Sequence, residues 1–225
     1  MKVLALDTTG ERGSLALVDK IGVLAECELV SSDGFAHVVF SEIKVLLDRA
    51  GISLEEIDLF AAASGPGSFT GVRVGLSAMK GLAHALGKKA VAVSNLEALA
   101  SLGRMADEVL RVPLIDARRG QVYGSVYDVG LGVILPEAVM PLASWLKSLT
   151  ETAGEIPFGF LVQSSGLGAE LPGAYQLVAG PLAPAIGRIA LHRAEIGRSL
   201  DPADLDANYV RRSDAELFWK DPAAR

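Results

Sequence analysis

A short apolar strand that ends in an acid and returns as a hairpin occurs twice in this chain. Val3 to Leu6 runs into Asp7-Thr8-Thr9-Gly10, and the return segment Ser14 to Val18 ends at Asp19. Val112 to Ile115 runs into Asp116-Ala117-Arg118-Arg119-Gly120, and Gln121 to Tyr127 ends at Asp128. In both places the two acids stand twelve residues apart. Short apolar runs bounded by turn residues read as buried strands, and the echo predicts an internal duplication. With 225 residues, half of them hydrophobic, the chain is long enough for two small domains. We place them at residues 1–103 and 104–225, with the C-terminal tail able to pack back on the first.

The first half continues with a third strand, Val23 to Val30, and a helix, His37 to Ala50. A strand Leu59 to Ala63, a helix Gly71 to Leu86, a strand Ala90 to Val93 and a Ser94-capped helix Asn95 to Leu102 follow. The order βββαβαβα is that of a ribonuclease-H-like domain, the unit doubled in the actin, Hsp70 and sugar-kinase architecture. The expected fold is therefore α/β, with two mixed β-sheets and flanking helices. The second half is less regular. It offers a strand Val133 to Leu135, a helix Pro141 to Thr150, a strand Phe158 to Val162 and a glycine loop Gly166 to Gly168. A strand Gln176 to Val178, a helix Ala183 to Arg198, a polar linker Ser199 to Ala207 and a tail Asn208 to Trp219 complete it.

The stretch Ser64 to Leu82 is strand end, tight glycine loop and helix start, a geometry that aims backbone N–H groups at an anion or a neighbouring chain. A plain capped βα turn would look the same. The helix behind it carries a polar stripe, Arg73, Ser77, Lys80 and His84, and stripes of small residues around Gly71, Gly75, Ala78 and Gly81. Glycine inside a helix costs about 1 kcal/mol relative to alanine, so these positions imply close approach of another element, either within the fold or across a subunit contact. The helix His37 to Ala50 is apolar on more than one face, where a surface helix shows one stripe. That suggests either a subunit contact or burial under a second domain.

In folds of this order the hairpin loop cradles phosphate and paired acids hold Mg²⁺. Asp7, Thr8 and Thr9 have suitable groups; Asp116 faces them with Ala117 and Arg118 where hydroxyls would be needed. Asp7 reads equally as an acid that caps its own loop. The net charge of −6 and the lack of a long basic run argue against stand-alone nucleic-acid binding. The single cysteine, Cys27, reads as a small buried hydrophobe in a reducing compartment. The start of the chain offers no signal peptide and no apolar run approaches about 18 residues, so a cytoplasmic, membrane-free protein is expected. His37, His84 and His192 are scattered, and there is no G-x-S-x-G elbow. No catalytic residue and no metal site of its own is assigned.

From Gly65 to Ala83 the sequence Gly-Pro-Gly-Ser-Phe-Thr-Gly-Val-Arg-Val-Gly-Leu-Ser-Ala-Met-Lys-Gly-Leu-Ala closely resembles the TsaB (YeaZ) family of bacterial tRNA threonylcarbamoyladenosine synthesis. Met1 to Gly10 resembles the same family's start, and Leu114 to Tyr123 its middle motif, although an acid is more usual than Gln121. The tail Ala207-Asn208-Tyr209-Val210-Arg211 adds to the likeness. The resemblance implies a non-catalytic scaffold that pairs with a TsaD-type subunit carrying the metal and nucleotide, and with a TsaE-type ATPase. Together these would transfer a threonylcarbamoyl group to adenosine 37 of tRNA, which the chain would meet only through the complex. The TsaD-type metal motif His-x-x-x-His reads His37-Val38-Val39-Phe40-Ser41 here, so its second ligand is missing. The resemblance also implies a homodimer when alone, and a contact surface on the two N-terminal-domain helices. The residues expected there are Val39, Ile43, Leu46, Leu47, Gly71, Arg73, Val74, Gly75, Ala78 and Leu82. From another class, a small-molecule kinase using Asp7, Thr8, Thr9 and Asp116 around Mg-ATP is the competing reading; a peptidase is a weaker third.

Overall fold

The computed structural model describes residues 1–210. Two five-stranded sheets with the same strand order form its frame. In the first, β1 (Val3–Asp7), β2 (Gly13–Val18) and β3 (Val23–Leu29) make an antiparallel meander. β4 (Leu59–Ala63) and β5 (Lys89–Val93) add in parallel beyond β1, giving β3-β2-β1-β4-β5. The second repeats this with β6 (Leu110–Asp116), β7 (Gln121–Tyr127), β8 (Val133–Pro141), β9 (Phe158–Val162) and β10 (Tyr175–Leu177), in the order β8-β7-β6-β9-β10. The duplication legible in the two acid turns is a duplication of topology, and the fold is the expected mixed α/β.

β1, β2 and β4 are buried along their whole length, which is why they read as continuous apolar runs and not as alternating ones. Their side chains still sort by period two. Leu4, Leu6, Leu15 and Leu17 face α1 (Val39–Ala50) and α2 (Phe69–Ala85), whereas Val3, Ala5, Ala16 and Val18 face α6 (Ala183–Glu195). Gly187 of α6 lies where a Cβ would come within 2.7 Å of Val18 Cγ2, so the helix settles on the sheet only as glycine there.

The two halves exchange helices. α3 (Asn95–Ser101) leaves the first sheet and packs on the second, with Leu96 and Ala100 against Tyr123 and Tyr127. α6, from the later part of the chain, returns to the first sheet. Arg193 of α6 joins the pair by donating to Glu97 of α3 at 2.6 Å and to the Ala92 carbonyl at 2.7 Å. Each sheet is thus covered in part by a helix from the other half of the chain. α4 (Leu142–Ala153) covers the other face of the second sheet through Trp145 and Leu149.

Several boundaries differ from expectation for local reasons. The first helix starts at Val39, after a single 3₁₀ turn Phe35–His37 entered through Gly34. β8 runs on past Leu135 to Pro141; as an edge strand it tolerates Pro136, which has no ladder N–H to offer. Gly166 and Gly168 lie in a short helix, α5 (Ser165–Ala169). α6 stops at Glu195, ahead of Gly197 in the left-handed region. Of the tail read as Asn208 to Trp219, everything from Arg211 lies outside the described residues.

Candidate functional site

The two acid turns face each other across a cleft of ≈ 750 Å³ between the sheets. Asp7, Thr9, Asp116 and Arg118 all line it; Thr8 does not. Strand ends place them there: β1 and β6 are the central strands of their sheets, and each delivers its acid at the C-terminal end. The turns are built alike. Asp7 Oδ1 accepts from the Thr9 N–H at 2.9 Å, and Asp116 Oδ1 accepts from the Arg118 N–H at 2.7 Å. Across the cleft mouth, Arg118 Nη2 donates to Glu11 Oε1 at 2.8 Å, an exposed pair of small energetic weight.

The first turn carries hydrogen bonds of its own. The Thr9 hydroxyl donates to Asp7 Oδ1 at 2.6 Å, and Asn95 Nδ2 donates to Thr9 Oγ1 at 2.7 Å. Burial pushes the Asp7 carboxyl up from the usual carboxylate range, against the lowering pull of its hydrogen bonds from Thr9 and Asn95. The Thr8 hydroxyl is buried and donates to the Gly71 carbonyl at 2.7 Å. Of the phosphate-loop candidates, Asp7 and Thr9 bond to each other within the turn, and Thr8 locks β1 to α2. Among the described residues, no group of three or more His, Cys, Asp or Glu is placed to hold a metal ion, and no helix is long and apolar enough to cross a membrane.

That lock also explains the small residues of α2. A Cβ on Gly71 would lie 1.9 Å from the Thr8 carbonyl oxygen, and one on Gly75 would lie 2.6 Å from Thr8 Oγ1. Close approach is real, but the approaching element is the chain's own β1 turn. Gly71 and Gly75 are thus packed against that turn. Ile43, Leu46 and Leu47 lie buried in the core that α1 forms with β2 and β3. Leu82 is half-buried and packs on the same core. The polar stripe has a use that sequence reasoning missed. Lys80 Nζ donates to the carbonyls of Ala203 (3.2 Å) and Leu205 (2.8 Å), and Arg73 Nε donates to the Tyr209 hydroxyl at 3.1 Å. Both cations hold the chain's own C-terminal run.

What α1 and α2 leave open is a groove of ≈ 520 Å³ between them. Its floor is Val39 and Ala78, both buried, with half-buried Val74 beside them. Phe40, 57% exposed, and Phe69, 39% exposed, form its apolar rims. Arg73 stands at the edge with its guanidinium carbon 3.8 Å from the Phe69 ring centroid. Four expected interface residues, Val39, Arg73, Val74 and Ala78, line this groove; Phe40 and Phe69 went unrecognised. An apolar residue at the outer face of an amphipathic helix was the available signal.

The chain is similar to known proteins along most of its length. A family model described as TsaD, tRNA N6-adenosine threonylcarbamoyltransferase, matches residues 29–171. The Bacillus subtilis tRNA threonylcarbamoyladenosine biosynthesis protein TsaB is 31% identical over 233 residues, 97% of this chain and 98% of that protein. The Escherichia coli protein of the same name is 36% identical over 129 residues, 57% of this chain and 55% of that protein. The solved structure of YeaZ from Pseudomonas aeruginosa superposes with a TM-score of 0.76 at 26% identity, covering 92% of this chain and 99% of the other.

Proposed function

The chain belongs to the TsaB (YeaZ) family of tRNA threonylcarbamoyladenosine biosynthesis, and from that membership we propose that it is the non-catalytic scaffold of a threonylcarbamoyltransferase. It docks through the α1–α2 groove onto a TsaD-type subunit of the same ribonuclease-H-like build. The observation that carries this reading is the groove itself, an apolar trough with Phe40 and Phe69 exposed at its rims, beside a cleft whose acid is engaged by its own turn. Burying two such aromatic rims on a partner supplies the kind of anchors that dominate protein–protein affinity. In the absence of that partner the same face pairs with a second copy of the chain.

ATP, metal and the transferred group are assigned to the partner subunits, TsaD-type and TsaE-type, and tRNA is met through the complex. Support comes from the first turn: Asp7 has Thr9 and Asn95 on its oxygens, and Thr8 donates its hydroxyl into the helix. A small-molecule kinase, the alternative, would need those groups free. It would also need hydroxyls on the second turn, where Ala117 and Arg118 stand.

The test is reconstitution with TsaD, TsaE, a threonylcarbamoyl-adenylate synthase and tRNA, with modified adenosine as readout. Omitting the chain should abolish the modification. Full modification in its absence overturns the reading.

A further inference from the structure

We infer that residues 200–210 form a strap by which the second sheet presets the rim of the docking groove, with Asn208 and Tyr209 as its positioning residues. The inference rests on the docking role proposed above and adds how that surface is held ready.

The strap is fixed along its length. Leu200 and Ala90 exchange backbone hydrogen bonds at the edge of the first sheet, 2.9 and 3.1 Å. Leu205 is buried in the core beneath α2, and Lys80 holds the carbonyls of Ala203 and Leu205. At Asn208 the run meets both halves of the molecule. Its N–H donates to the Ser64 carbonyl at the end of β4 (2.8 Å), and its side-chain amide donates to Glu137 Oε2 on β8 (2.6 Å). Glu137 is itself fixed, because Oε1 accepts from the hydroxyls of Ser94 and Tyr127. The next residue, Tyr209, reaches the groove. Its ring lies 5.4 Å from that of Phe69, and its hydroxyl accepts from Arg73.

Phe69 and Arg73 are groove-lining residues, whereas Glu137 and Asn208 are not. A carboxylate on the second sheet is therefore one peptide link from a stack on the docking face. Arginine is rich in rotamers, and binding must fix it at an entropic cost unless it is fixed beforehand. The Tyr209 hydroxyl and the Phe69 ring hold Arg73 from two sides in the free chain. Losing that preorganisation should weaken partner binding about three- to tenfold, and Asn208→Ala does so without removing any groove-lining atom.

The test compares the full-length chain with Asn208→Ala, Tyr209→Phe and Tyr209→Ala by calorimetric titration against a TsaD-type partner, with thermal unfolding run in parallel. Asn208→Ala and Tyr209→Ala should bind about three- to tenfold more weakly at near-unchanged unfolding temperature; Tyr209→Phe, which keeps the ring stack but loses the hydroxyl that holds Arg73, should fall between the wild type and Tyr209→Ala. A second readout needs no partner. The ¹⁵N relaxation of Arg73 Nε–H should show greater mobility in Asn208→Ala than in the wild type. Unchanged Arg73 relaxation together with wild-type affinity in Asn208→Ala overturns the strap. A wild-type chain that binds no partner overturns the docking role instead, and the Arg73 relaxation still decides the strap.

Discussion

Gly71→Ala separates the two explanations for a glycine-rich helix most sharply. In an unconstrained helix the change would stabilise by up to about 1 kcal/mol, because alanine restricts the unfolded chain more. Here the added Cβ lands 1.9 Å from the Thr8 carbonyl oxygen, and ordinary contact begins at 3.4 Å. The start of α2 must withdraw from β1 by roughly the difference, which is backbone against backbone and cannot be absorbed by a rotamer. That withdrawal breaks the buried bond from the Thr8 hydroxyl to the Gly71 carbonyl. An orphaned buried donor costs about 1–3 kcal/mol and overpacking about 1–3 kcal/mol. Net of the helix gain, the expected loss is about 1–5 kcal/mol, a large part of a typical 5–15 kcal/mol. Gly81 is the internal control: it lies on the same helix with nothing within 4 Å of its would-be Cβ. Gly81→Ala should be neutral or stabilise by up to about 1 kcal/mol. Urea unfolding of the isolated proteins measures both. A Gly71→Ala protein as stable as the wild type would refute the intrachain lock and return the glycine to a partner contact.

Other perturbations follow from the same contacts. Asp7 has its carboxyl pushed up by burial, so over the interval between its unfolded and folded values the native state holds a proton that the unfolded chain has lost. Its cost is absent below the ordinary carboxylate range and fully present above the raised value, so stability falls as pH rises through that window. Asp7→Asn keeps an acceptor for Thr9 and removes that dependence; its stability relative to wild type should improve from about pH 4 to about pH 7 in denaturant titrations, and a constant difference would contradict the assignment. Arg193→Ala leaves Glu97, partly buried and already raised by burial, without its cation. Discounted for partial exposure, the loss should be about 2 kcal/mol, visible by urea unfolding. Gly124→Ala would place a Cβ 2.6 Å from the buried Trp145 ring, and should lower the unfolding temperature as an overpacked core does.

What could be read from the chain alone was local. Leu59 to Ala63 and Gln121 to Tyr127 are strands at the bounds their composition marks, and the matched turns at Asp7 and Asp116 announced the doubled sheet. The long-range partners were illegible. Nothing near Gly71 in sequence points to Thr8, sixty-three residues earlier. Nothing in the stripe of Arg73 and Lys80 says that it grips carbonyls and a tyrosine hydroxyl more than 120 residues further on. Apolar excess on the first helix likewise does not say which of its residues turn inward. Ile43, Leu46 and Leu47 satisfy the sheet, and only Phe40, with Val39 beneath it, is left for the groove. Glu137 escaped notice because one acid in an edge strand looks solvated until the donors of Ser94, Tyr127 and Asn208 converge on it.

The central claim, a docking surface beside an acid turn that serves only the fold, is decided by one comparison. Modified adenosine is measured in the reconstituted system with Asp7→Asn and with Phe40→Asp, an exposed rim position where the change leaves the core intact. Asp7→Asn should stay within about twofold of wild type, while Phe40→Asp should fall to the level seen when the chain is left out. Loss of modification in Asp7→Asn with full modification in Phe40→Asp would contradict the account and make the cleft the working site.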